Sequence, residues 1–139
     1  MIFDYLMTGS IGPIRVGMPR EEVRACLGGE LRTFKKTSLS SNTLDAFDHH
    51  SVHVYYDDGD LVKGVEFFSV ENFSWHGKKI VGESYAELKK CLAQHGVVFS
   101  SDDCGVDVDG LGMGFYIPDI SDEGEFALVK SVYIDLSVG

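Results

Sequence analysis

The chain has 139 residues, 44% of them hydrophobic and 12% aromatic, which is the size and composition of one globular domain and too apolar for a disordered one. Twenty-two acidic residues stand against twelve basic ones, a net charge of −10, so the body is expected to repel nucleic acid and anionic membranes and to favour a basic partner. The three cysteines, Cys26, Cys91 and Cys104, have no metal-like spacing and fit a reduced, cytoplasmic setting better than a disulfide framework.

Met1 to Gly12 has neither the basic start nor the apolar run of a signal peptide, and no later run is long enough to span a bilayer. Ile11 to Val16 is expected to be a short strand with Pro13 at its edge. Gly17 lets the chain turn, Pro19 suits a helix start, and Glu21 and Glu22 favour the positive end of the helix dipole. Val23, Cys26 and Leu27 give a narrow buried stripe, and Gly28-Gly29 ends the helix. Leu31 to Thr37 is a candidate strand, followed by a polar loop from Ser38 to Thr43 and a further strand at Leu44 to His50. Val52 to Tyr56 alternates, Asp57-Asp58-Gly59-Asp60 is a turn by composition, and Leu61 to Phe68 returns.

Val70 to Trp75 then leads to a second passage of the same kind, beginning near Lys79 to Val81. Val16-Gly17, Glu22 and Cys26-Leu27 match Val81-Gly82, Glu87 and Cys91-Leu92 at a constant offset, with Val23 against Leu88 and Arg24 against Lys89. Leu61-Val62-Lys63-Gly64-Val65 likewise returns as Leu128-Val129-Lys130-Ser131-Val132. A period of half a chain implies internal duplication. In the second copy Ser84 and Glu87 form a capping box for a helix over about 84–94, and Gly96 is its expected stop. Strands are expected at Val97 to Phe99, Val106 to Val108, Gly112 to Ile117 and Val129 to Leu136, with a long turn from Pro118 to Glu125.

The expected fold is therefore α+β. Two tandem β-α-β repeats with three or four strands each, over about 11–68 and 76–136 of a single 1–139 domain, share one antiparallel sheet with both helices on one face. Cys26 and Cys91 should be equivalent, buried and unpaired.

Strand parity divides the residues between two faces. Val52, Val54, Tyr56, Val65, Phe67, Met113, Phe115, Ile117, Val132 and Ile134 belong to the helix side. His53, Tyr55, Glu66, Tyr116, Tyr133 and Asp135 fall opposite, on the free side. A half-exposed sheet favours tyrosine for its own sake. Tyr55, Tyr116 and Tyr133 together, beside Glu66 and the turn carboxylates Asp57, Asp58, Asp60 and Asp119, make a partner-binding face.

Other motifs point to less. His49-His50-Ser51-Val52-His53 could ligate a metal with Asp48, since His49 and His53 would share a strand face, but a polar strand start explains the tract as well. Asp57 to Asp60 and Asp102-Asp103 lack the calcium-loop spacing. Gly110 to Gly114 lacks the lysine of a phosphate loop. No cofactor, metal or catalytic residue is expected.

The segment Gly17-Met18-Pro19-Arg20-Glu21-Glu22-Val23 resembles the start of the helix in outer-membrane lipoproteins of the BamE/SmpA type. The duplicated helix-plus-sheet layout resembles the β-lactamase inhibitory protein, in which two such repeats form a concave sheet that grips an enzyme. A small acidic chain with a free sheet is similar in profile to bacterial immunity proteins, which neutralise a cognate toxin. These resemblances imply a non-catalytic inhibitor of a basic toxin, often a nuclease in such systems. The alternative is a small-ligand protein or metal-dependent enzyme using the His49 to His53 segment.

Overall fold

The structure is a computed structural model and describes residues 1–138. Its main element is an eight-stranded antiparallel sheet. The strands are β4 (Arg32–Phe34), β5 (Leu44–Phe47), β6 (Val52–Tyr56), β7 (Val62–Phe67), β9 (Ser100–Ser101), β10 (Gly105–Val108), β11 (Met113–Tyr116) and β12 (Ser131–Asp135). They lie in the order β4-β5-β6-β7-β12-β11-β10-β9, so each half runs in sequence order from its own edge to the centre. The halves meet where β7 and β12 pair antiparallel, with Val65 opposite Ile134 and Glu66 opposite Tyr133.

Two helices cover one face. Helix α1 (Arg20–Leu27) follows Pro19, carries Glu21 and Glu22 in its first turn, and buries Arg20, Val23 and Leu27. Helix α2 (Tyr85–Gln94) is capped by Ser84, whose hydroxyl accepts from the Glu87 amide at 3.2 Å, and buries Leu88, Cys91 and Leu92. Complete burial of such aliphatic side chains stabilises by roughly 1.5–3 kcal/mol each. A short helix α3 (Ile120–Glu123) occupies the connection between β11 and β12.

The expected α+β layering is present, and so is the division of faces. Val52, Val54, Tyr56, Val65, Phe67, Met113, Phe115, Ile117, Val132 and Ile134 are all buried in the core on the helix side. Three expectations need correcting. Cys26 is exposed and only Cys91 is buried. The eight-residue α1 presents Arg20, Val23 and Leu27 to the sheet, which turns Cys26 out of its last turn. Val97 to Phe99 is not a strand; the edge pairs instead through Ser100 and Ser101. Residues 48–50 form a turn of 3-10 helix rather than continuing a strand.

A second small layer lies on the helix side. Strand β1 (Phe3–Tyr5) pairs parallel with β8 (Phe73–Trp75), and β2 (Ser10–Ile11) forms a hairpin with β3 (Ile14–Arg15). The Phe3 and Phe73 rings pack on Phe67, at centroid distances of 5.1 and 5.3 Å. The amino-terminal segment thus completes the core on the helix side, while among the described residues no layer covers the opposite face of the sheet.

Candidate functional site

The register places the free-side residues in rows. Tyr55 lies opposite Gly64, and His53 opposite Glu66. Tyr133 lies between Glu66 and Gly114, while Tyr116 pairs with Ser131 on one side and Gly105 on the other. At Gly105 a Cβ would run into the Phe115 carbonyl, so bare backbone forms the floor beside Tyr116. Walls of Phe34, Tyr55, Phe68, Tyr116 and Tyr133 rise around this floor and enclose a depression of about 640 Å3.

Glu66 organises the centre. Its carboxylate accepts from Tyr55 Oη at 2.8 Å and from Ser131 Oγ at 3.0 Å, and Lys36 Nζ stands 3.9 Å away. The Tyr55 and Tyr133 rings meet edge to face at 5.4 Å. Burial, then the bond to Glu66 and its charge, hold the Tyr55 phenol well above its ordinary range. Burial, with Asp135 and Glu66, pushes Tyr133 up to about 12. Both are therefore neutral hydroxyls at neutral pH. His53 is wedged between Phe34 and Phe68, at 5.8 and 4.5 Å, and this burial lowers its pKa against the pull of Glu66 and Asp48. On the second half burial, and then the charges of Asp109 and Asp102, raise the Asp107 pKa.

The structure thus brings Tyr55, Glu66, Tyr116 and Tyr133 to one face. Tyr116 is 51% exposed, whereas the other three are half-buried in their own contacts rather than open. The turn carboxylates do not join them as a flanking set. Because β7 and β12 run antiparallel, the Asp57 to Asp60 turn and the β11–β12 connection holding Asp119 lie at opposite ends of the sheet. Asp57 accepts from the Gly59 and Leu61 amides, at 2.9 and 3.0 Å, and so shapes the turn. Asp60 is bound to Arg20 at 3.0 Å and Asn42 at 2.7 Å. Asp119 lies at the start of α3, where its carbonyl accepts from the Asp122 and Glu123 amides. Asp58 is exposed and makes no side-chain hydrogen bond or ion pair among the described residues.

The histidine tract separates in the same way. His49 lies against Gly29, His50 Nε2 is 2.9 Å from the Leu27 carbonyl at the end of α1, and His53 faces the depression. His49 and His53 do not share a strand face, because the turn at 48–50 intervenes. Among the described residues no group of three or more His, Cys, Asp or Glu is placed to hold a metal ion.

Sequence reasoning passed over Phe34, Lys36, Phe68, Asp107 and Lys130, which all line the depression. Phe68 shares the parity of Glu66 and was within reach of the same argument. Lys36 and Lys130 fall within the strands expected at Leu31 to Thr37 and Val129 to Leu136 but just outside the observed ones, where alternation no longer holds.

No protein-family model matches the chain, and no curated protein matches it. A solved structure with a similar fold is the crystal structure of the uncharacterized protein yfeY from Escherichia coli, which aligns with a TM-score of 0.58 at 10% sequence identity over 97% of this chain and 99% of that one. At that identity the likeness is one of fold. Among the described residues no helix is long and apolar enough to cross a membrane.

Proposed function

We propose that the chain is a non-catalytic binding protein of the inhibitor or immunity type, which receives a protruding segment of a protein partner on the free face of its sheet. The observation that carries this reading is the aromatic-walled depression of about 640 Å3 on the sheet face that no helix covers among the described residues. Rigid tyrosine and phenylalanine walls bury large area at small entropic cost, which is the chemistry of interface hot spots. The net charge of −10 steers a basic partner, such as a toxin domain in the cytoplasm, toward the molecule. Within the depression the charges are mixed, with Lys36 and Lys130 beside Glu66, Asp102 and Asp107, so steering comes from the whole body and fit from the aromatic walls.

The volume also lies within the range of small-ligand pockets, and His53 gives the wall one titratable group. That supports a second reading, a small-molecule binder. The test of the first is rescue of growth against a toxin encoded beside this chain. Tyr116→Ala and Phe68→Ala are expected to weaken rescue with melting temperature unchanged, each costing roughly 2 kcal/mol of binding. Full rescue by both variants overturns the reading. A melting temperature raised by a small metabolite, in wild type and not in Tyr116→Ala, would favour the second.

A further inference from the structure

A second niche of about 260 Å3 adjoins the depression at the end of the sheet near the β6–β7 turn. The polar loop before β5 forms one wall, and Lys36, Tyr55 and Tyr133 line both spaces. Most polar groups around the niche are already engaged. Asn42 Nδ2 donates to the Asp57 carbonyl at 2.8 Å and to Asp60 at 2.7 Å, Tyr55 donates to Glu66, and Tyr56 donates to Asp45. Three lining donors, Lys63 Nζ, Tyr133 Oη and Ser41 Oγ, make no hydrogen bond among the described residues. Lys36 Nζ makes no hydrogen bond among the described residues; it stands 3.9 Å from Glu66 and 5.4 Å from the Tyr55 ring centroid.

The ion pairs make this distribution telling. Acids outnumber bases by 22 to 12, yet Lys35, Lys63 and Lys130 form no ion pair among the described residues. The carboxylates bonded to niche-lining side chains are themselves engaged: Glu66 by Tyr55 and Ser131, Asp60 by Asn42 and Arg20, and Asp45 by Tyr56, Arg20 and Arg24. The Tyr133 ring lies across Gly64, where any Cβ would collide with it, and this brings the phenol to the edge of the niche. A phenol pushed up to about 12 keeps its proton and can only be a donor to an anion.

The geometry points to an oxyanion subsite here, in which Lys63 Nζ, Lys36 Nζ and Tyr133 Oη receive a carboxylate or phosphate group. Charge-assisted hydrogen bonds to a shared oxyanion are the strong kind, and because Lys36 and Lys63 are exposed, added salt should weaken them. Resting on the reading of the free face as a binding surface, the subsite gives the occupant a direction. Its apolar part lies between Tyr116 and Phe68, its anionic group beside Lys63.

The test is an amide NMR titration of the intact chain with inorganic phosphate and, separately, acetate, at constant ionic strength balanced with chloride. The expected result is saturable shifts confined to residues 40–43 and 63–64. Lys63→Gln should weaken the apparent affinity roughly tenfold, and Lys36→Gln with Lys63→Gln should remove saturation. Tyr133→Phe keeps the ring over Gly64 and removes only the donor, so it should weaken affinity with the fold intact. Saturation by acetate alone assigns the group to a carboxylate of a protein segment; by phosphate alone, to a phosphoryl group; by both, to an oxyanion without further selection. Absence of saturable shifts with either anion, or shifts unchanged in the double lysine variant, overturns the proposal. No partner enters this experiment, so its failure is separate from failure of the Tyr116→Ala rescue test.

Discussion

Arg20 on α1 donates to the carboxylate of Asp45 on β5 at 2.9 Å, and Asp45 has no exposed surface. Arg24, one turn on, adds bonds of 2.8 and 2.9 Å, while Thr33 and Tyr56 hydroxyls donate at 2.9 and 3.0 Å. The Arg20 guanidinium also lies 4.0 Å from the Tyr56 ring centroid. An isolated eight-residue helix is unstable in water, so α1 is held by tertiary contacts, and this network is one of them. Asp45→Ala leaves the buried arginine head facing a hole and is expected to cost about 3–5 kcal/mol, read from urea unfolding. A loss below about 1 kcal/mol would mean that water replaces the carboxylate at little cost.

The same carboxylate sets the acid limit. Burial would raise the Asp45 pKa, but bonds from Arg24, Thr33 and Tyr56 and the Arg20 charge outweigh it and hold the group below its ordinary value. A depressed folded pKa gives stability that is complete above the unfolded carboxylate value of about 4 and is lost as pH falls toward the folded one. Asp48, beside Arg32, and Asp60, beside Asn42 and Arg20, shift the same way. Unfolding free energy should fall between about pH 5 and pH 2, and more shallowly in Asp45→Ala. Equal slopes in the two proteins would remove Asp45 from the acid transition.

Sequence parity placed the core and the free face correctly because alternation survives wherever a strand is paired on both sides. Tyr55, Glu66 and Tyr133 were legible for that reason. Asp45 was not: an acidic residue among Leu44, Ala46 and Phe47 reads as a strand interruption until Arg20 and Arg24, over twenty positions earlier, are seen to reach it. Cys26 was misplaced because a matched position in two helices does not ensure a matched rotation of each helix on the sheet. The turn aspartates were misgrouped because alternation says nothing of direction, and direction decides which turns share an end.

At the alkaline end the tyrosines act in the opposite sense. Burial first, and then neighbouring carboxylates, raise Tyr55, Tyr56 and Tyr133. A raised folded pKa gives stability that is complete below the unfolded phenol value of about 10 and is lost as pH rises beyond it. Urea midpoints should therefore decline from about pH 9.5 upward, and Tyr55→Phe should reduce that slope. An unchanged slope would show that Tyr55 ionises as freely in the folded chain as in the unfolded one.

The thiols offer an independent check on the helix rotations. Cys26 and Cys104 are exposed and Cys91 is buried, with burial raising its pKa. Thiolate is the reactive form, so an aromatic disulfide reagent at neutral pH should label Cys26 and Cys104 promptly and Cys91 only on unfolding. Peptide mapping that finds Cys26 protected would restore the buried stripe expected from sequence and rotate α1.

Tyr133 and Gly64 make the most specific prediction. They belong to the two central strands, and the ring occupies the space a side chain at 64 would need. Gly64→Ala must push the ring away, at a cost of about 1–3 kcal/mol. Tyr133→Ala removes the atoms that an added methyl at 64 would strike first. The double variant should be more stable than the sum of the single losses implies, with a coupling of at least about 1 kcal/mol in urea unfolding. The near-ultraviolet tyrosine signal should change in Gly64→Ala as much as in Tyr133→Ala, because both empty the packed position against Tyr55. Additive losses would show that the ring leaves Gly64 freely, and the phenol would then have no fixed place at the edge of the niche.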